Sequence, residues 1–212
     1  MLRKRIDEQN EYLLRQQRHL RIAADVVAEA LAEFEEVEAV AVVGSVAKPL
    51  WKEVPRFAGF RQKRIELWHE CFSVDLAVWL DHQHRLAQLR QASNKVLREA
   101  YEAGKGISVA NHQVNMLLFP AGSSAFAGVL CHYKECPRGK IDCRAPGCGT
   151  VPYNRVVMNF VQRPSLLEGV EEAMLYRRGV GRLRSALELP VPEEEPAAPP
   201  KRLRKTPESL AS

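Results

Sequence analysis

Four cysteines fall within eighteen residues, Cys131, Cys136, Cys143 and Cys148, in the stretch CHYKECPRGKIDCRAPGCG. The spacing is C-x4-C-x6-C-x4-C, two equal pairs around a short arm. A structural zinc takes four ligands at tetrahedral corners, and two chain-local pairs folded back on each other can supply them. Pro137, Gly139, Pro146, Gly147 and Gly149 provide the turn chemistry for that folding back. Lys134, Arg138, Lys140 and Arg144 bring positive charge to offset four thiolates. His132 is adjacent to Cys131 and is a substitute ligand for it. An iron–sulfur cluster, unligated reduced thiols and a disulfide remain open alternatives for the same residues. Four closed thiolate ligands leave no open coordination position, which argues against a zinc-dependent hydrolase.

A second set of residues points to phosphate chemistry. The apolar run VEAVAVVG (37–44) reads as a buried strand stopped by Gly44. Gly44 lets a phosphate approach the backbone, and the Ser45 hydroxyl can bind phosphate oxygens. A short helix expected after Ser45 would add its free amides. Lys48 and Lys52 follow and could act as point charges, although a solvated surface accounts for them equally. The next strand, CFSVDLAVWL (71–80), places residues 73 and 75 on one face, because strand side chains repeat every two residues. A pair of acids at such positions can bridge magnesium ions that clamp a triphosphate. Here the pair is Ser73 and Asp75. His112 and Asn115, around the start of the strand HQVNMLLF (112–119), complete the candidate pocket.

The elements that must position these residues follow from periodicity. Leu13, Leu20, Val27 and Leu31 belong to an apolar stripe that predicts one helix over 6–36. HQHRLAQLRQASNKVLREAYEAG (82–104) predicts a second, with Asp81 as its N-cap and Gly104 closing it. A short helix is expected within 59–69, and SLLEGVEEAMLYRR (165–178) predicts a further helix capped by Ser165. His82 and His84 read as solvent-facing. Trp51, Trp68 and Trp79 read as core or interface residues. The fold class is α/β or α+β, a small mixed sheet with packed helices. The organisation reads as an N-terminal helix (1–36), a strand-containing domain (37–125), a cysteine-rich module (126–163), a C-terminal helix (164–189) and a tail (190–212). That tail, PVPEEEPAAPPKRLRKTPESLAS, is proline-rich and charged, and disorder is expected of it.

The strand ending in Gly44-Ser45, the strand carrying Asp75 and the later strand carrying Asn115 together resemble the nucleotidyltransferase fold of the DNA polymerase beta superfamily. The resemblance covers roughly residues 37–120. More narrowly, GSVAKPL, WHECFSVDLAVW, NHQVN and CPRGKIDCRAPGCG look like a bacterial nucleotidyltransferase-like group with an appended cysteine module. The family carries Asp-x-Asp on its second strand and a third acid on a later one. Asp75 matches the second acid, whereas Ser73 and Asn115 stand at the other two positions. The resemblance implies a nucleoside triphosphate as ligand, magnesium as cofactor if the chain is active, and transfer of a nucleotidyl group to an RNA or protein acceptor. The neutral Ser73 and Asn115 equally suit a catalytically inactive, zinc-containing module that contacts protein or nucleic acid.

Composition sets bounds without choosing between these. The chain has 212 residues and a formal net charge of +5, part of it in KRLRK (201–205). That bias allows an anionic partner without requiring one. No apolar run approaches the roughly 20 residues needed to span a bilayer. The N-terminus, MLRKRIDEQNEYLL, lacks the apolar core of a signal peptide. A cytoplasmic location with reduced thiols is therefore expected.

Overall fold

The structure is a computed structural model that describes residues 2–104, 108–130, 156–157 and 165–192. The four clustered cysteines expected to bind zinc and the segment 193–212 expected to be disordered lie outside the described residues. The chain opens with α1 (Leu2–Ala32), followed by β1 (Val37–Val43) and a single 3₁₀ turn over Gly44–Ala47. An excursion follows, made of β2 (Lys52–Glu53), α2 (Ala58–Gln62) and β3 (Leu67–Trp68). Then come β4 (Val74–Leu80), α3 (Leu86–Glu102), β5 (Val114–Pro120), β6 (Gly128–Leu130) and β7 (Val156–Val157). The last elements are β8 (Met174–Arg177), β9 (Gly181–Arg182) and a 3₁₀ turn over Ala186–Glu188.

Seven strands form one mixed sheet in the order β7-β6-β5-β4-β1-β8-β9, and β2 pairs with β3 separately. β4 and β5 are parallel and joined through α3, as a parallel pair requires a crossover. β1 runs antiparallel to both β4 and β8. The expected mixed α/β architecture is thus present, with helices on one side of the sheet. Alternation along the strands sorts side chains between two cores. Val40, Val42, Leu76, Val78, Met116 and Leu118 pack with α1 and α3, against Leu20, Val27, Leu31, Leu89 and Leu97. Ala39, Ala41, Ala77, Trp79, Leu117 and Phe119 face the other way and meet Met174, Leu166, Leu167 and Val170. Trp79 is a core residue, stacked on Phe119 at 5.3 Å between centroids, with Nε1 donating to the Ser123 carbonyl at 2.9 Å. Trp51, by contrast, is exposed, and Trp68 is half-buried.

Four expectations are corrected. The helix expected after Ser45 is only the Gly44–Ala47 turn. Pro49 pushes its predecessor out of the helical region, and Lys48 is extended at φ −110°, ψ 158°. The helix expected over 165–178 is a 3₁₀ turn (Val170–Ala173) followed by β8. Gly169 breaks it with a left-handed φ of 72°, and β1 offers a free edge that pairs Val40 with Tyr176 and Ala41 with Met174. Tertiary pairing overrides the helical spacing there. The helix expected from residue 82 begins at Leu86, and Asp81 does not cap it. The Asp81 backbone amide instead donates to the Glu36 carbonyl, and its carboxylate pairs with Arg178. α1 ends at Ala32 rather than 36, where the acidic run opposes the negative end of the helix dipole.

Glu36 is buried beside β1 and accepts both Arg85 Nε, at 2.9 Å, and an Arg85 terminal amine. Burial alone would raise its carboxyl, but the Arg85 hydrogen bonds and charge outweigh that and hold it below the usual glutamate range. No helix of the described residues is long and apolar enough to cross a membrane.

Candidate functional site

The end of β1 and the starts of β4 and β5, three adjacent inner strands, meet at one end of the sheet, and the polar side chains there lie on the face away from α1 and α3. Antiparallel pairing sets Val43 opposite Asp75, and parallel pairing sets Asp75 opposite Asn115. Asp75 and Asn115 therefore share a face with Ala77 and Leu117. Asn115 Nδ2 donates to Asp75 Oδ1 at 2.7 Å and lies 3.3 Å from Ser73 Oγ. The three positions singled out in the sequence are thus brought into direct contact. His112 is exposed in the turn before β5 and does not line the adjoining cavity.

Gly44 closes the other side. Its φ is +75°, and a Cβ added there would sit 3.3 Å from Asp75 Oδ2. Only glycine meets both the left-handed backbone and the close approach. Ser45 Oγ accepts the Cys71 thiol hydrogen at 3.5 Å, which leaves the hydroxyl hydrogen of Ser45 to donate elsewhere. Cys71 itself is buried, and burial is the main cause that pushes its thiol above the usual range.

Two residues of α1, absent from the sequence-level candidates, hold this loop. Gln17 Nε2 donates to the Lys48 carbonyl at 2.8 Å. Arg21 is buried and donates to the carbonyls of Val46 at 3.1 Å, Lys48 at 3.3 Å, Leu189 at 2.7 Å and Pro190 at 2.8 Å. It ties the turn after Gly44-Ser45 to the last described segment. Burial lowers its guanidinium below the usual range, yet arginine remains charged. The signal that could have found them is their spacing. Gln17 and Arg21 are four apart and interrupt the stripe of Leu13, Leu20 and Ala24, where a polar side chain must be satisfied.

The cavity so framed has a volume of about 990 Å³. Its lining includes Gly44, Ser45, Lys48, Ser73 and Asp75 from the strand ends and Glu168, Glu172, Arg184 and Glu188 from the later segments. Trp51 and His69 stand beside it, their rings stacked at 3.8 Å. The lining holds five carboxylates, Glu70 and Asp75 among them, against the two cations Lys48 and Arg184. Such a balance disfavours a bare polyanion and favours a ligand that carries a cation. Among the described residues, no three His, Cys, Asp or Glu side chains are grouped to hold a metal. Asp75 is the one carboxylate of its trio; Asn115 turns its amide nitrogen, not its oxygen, toward Asp75 and Ser73, and unlike them it does not line the cavity. The chain matches no protein-family model, and no curated protein and no solved structure matches it.

Proposed function

We propose that the cavity beside Gly44, Ser45 and Asp75 binds a nucleoside triphosphate with magnesium, and that the protein transfers a nucleotidyl group to an RNA or protein acceptor. The observation that carries this reading is the convergence of positions 73, 75 and 115 at the strand end where Gly44 turns. The excess of carboxylates supports the requirement for a divalent cation. Asp75 with the Ser73 oxygen, joined by the Asn115 oxygen once that amide turns over, would hold magnesium, which supplies neutralisation of phosphate charge. Ser45 donates its hydroxyl hydrogen to a phosphate oxygen, and Lys48 adds a point charge from the loop that Arg21 fixes. The exposed indole of Trp51 offers a surface for the base. Zinc in the cysteine segment belongs to the same proposal, on the ligand spacing alone.

A specific contact favours the second reading, an inactive binding module. The Asn115 amide donates to Asp75 and so occupies an oxygen that a cation would use. Calorimetry with and without magnesium decides whether the pocket is used. Wild type should bind triphosphate only with magnesium, and Asp75→Ala should weaken binding at least about tenfold, the loss of one charged ligand. Asn115→Asp should tighten magnesium. No heat from any of the common triphosphates with magnesium sinks the nucleotide reading. Label transfer from α-labelled triphosphates to RNA or protein then separates enzyme from binding module. The same reduced preparation should carry close to one zinc per chain.

A further inference from the structure

The chain between Trp51 and Arg64 contributes nothing to either core. Apart from half-buried Pro55, every residue in it is exposed. Its root is firm. β2 pairs with β3, the His69 amide donates to the Trp51 carbonyl at 2.8 Å, and the Trp68 amide donates to Asn10 Oδ1 of α1 at 2.9 Å. Its tip carries Phe57, 75% exposed, and Phe60, 37% exposed, with ring centroids 6.2 Å apart. Arg56, Arg61, Lys63 and Arg64 flank these rings in the chain, and Lys52 lies at the root over the Trp68 ring at 5.3 Å, against the two carboxylates Glu53 and Glu66.

We propose that this arm is a docking surface for single-stranded nucleic acid. Clustered exposed aromatic rings mark an interaction surface, since nothing in the fold is gained by leaving them in water. The cations narrow the partner to a polyanion. Rings and cations interleaved over a short span suit a chain that alternates flat, stackable bases with phosphates. A duplex keeps its base faces stacked inside and offers them no partner. A membrane surface suits the arm less well. α2 has only five residues, too few to lay one apolar face along a bilayer. The rings and cations beyond Trp51 are separate from the residues proposed to hold the triphosphate, so the two proposals fail separately.

The test is fluorescence anisotropy of the full chain with labelled oligo-uridine and oligo-thymidine of about 16 nucleotides, the upper site size of compact single-strand binders. A duplex of the same length, phosphatidylserine vesicles and polyglutamate complete the panel. Single strands should bind more tightly than duplex. Raising salt from about 50 to about 200 mM should weaken them on the order of fiftyfold, the slope of about four displaced counterions. Phe57→Ala with Phe60→Ala should weaken binding at least about fivefold while keeping the salt slope. Arg56→Gln with Lys63→Gln and Arg64→Gln should flatten that slope. Both variants should keep wild-type circular dichroism and wild-type triphosphate affinity. Equal binding of the two oligonucleotides assigns the site to single strands in general, and a preference for oligo-uridine assigns it to RNA. No strand binding, equal binding of duplex, equal competition by polyglutamate, or binding of vesicles alone each overturns the proposal. So does strand binding that survives both variants.

Discussion

On the helix-covered face, β1, β4 and β5 present Val40, Val42, Leu76, Val78, Met116 and Leu118. On the opposite face the same strands present Ala39, Ala41, Asp75, Ala77, Asn115 and Leu117. The first set is wholly apolar and sealed by two long helices, whereas the second also includes Trp79 and Phe119 at one end of the strands and the polar Asp75 and Asn115 at the other. The second face packs against Leu166, Leu167 and Val170 of the irregular stretch from Ser165 to Ala173, and that stretch shares the cavity with Gly44. Alternation by two therefore divides labour within single strands. One side holds the fold, and the other makes room for polar groups and a cavity. Substitutions on neighbouring positions of β4 should accordingly have unlike consequences.

The largest expected contrast is between Leu76 and Asp75. Leu76→Ala removes a fully buried side chain between α1 and the sheet and should lower unfolding free energy by about 2–5 kcal/mol in denaturant titrations. Asp75→Ala should leave the denaturation midpoint nearly in place and act on ligand binding instead. Equal destabilisation by the two would show that the second face is structural as well.

Next is Gly44→Ala, which lies where the two functions meet. The left-handed backbone alone should cost about 1–2 kcal/mol, and the added methyl group must displace Asp75 Oδ2. Stability and magnesium-dependent binding should fall together. A variant that loses neither would separate Gly44 from the site.

The smallest expected effect is a pH dependence on the helix side. Glu36 has a folded pKa below its unfolded one, so the unfolded chain takes up its proton first as pH falls. Its contribution is complete above the ordinary glutamate range and is lost as pH falls through that range to the depressed folded value. Glu36→Gln should flatten the acid limb of thermal stability measured against pH, with no matching change in the neutral range. An unchanged acid limb would leave the Arg85 pair without weight.

The parts of this arrangement that were legible in the sequence are those set by local pattern. The apolar runs of β1, β4 and β5 and the stripes of α1 and α3 announce themselves by period. The contact of Ser73, Asp75 and Asn115 follows once β4 and β5 are parallel and in register. β8 was not legible, because Leu166, Leu167, Val170 and Ala173 keep helical spacing and only the open edge of β1 makes the following residues a strand. Nor was the Arg21 clasp, since its acceptors are backbone carbonyls distant in sequence and carry no residue signature. Of the arm from Lys52 to Trp68 the sequence shows only a short helix, its rings and cations being separately ordinary.

The Arg21 clasp joins residues 168 positions apart, and β8 closes an edge of the first strand. During synthesis the Gly44 turn emerges long before either partner exists. Until then β1 carries an unpaired row of amides and carbonyls, open to any other extended chain. The wall of the cavity that bears Glu168, Glu172 and Arg184 arrives in the same late stretch. The pocket is thus finished by the event that protects the nascent sheet, and a chain that can hold a ligand there has already passed its own check on complete folding.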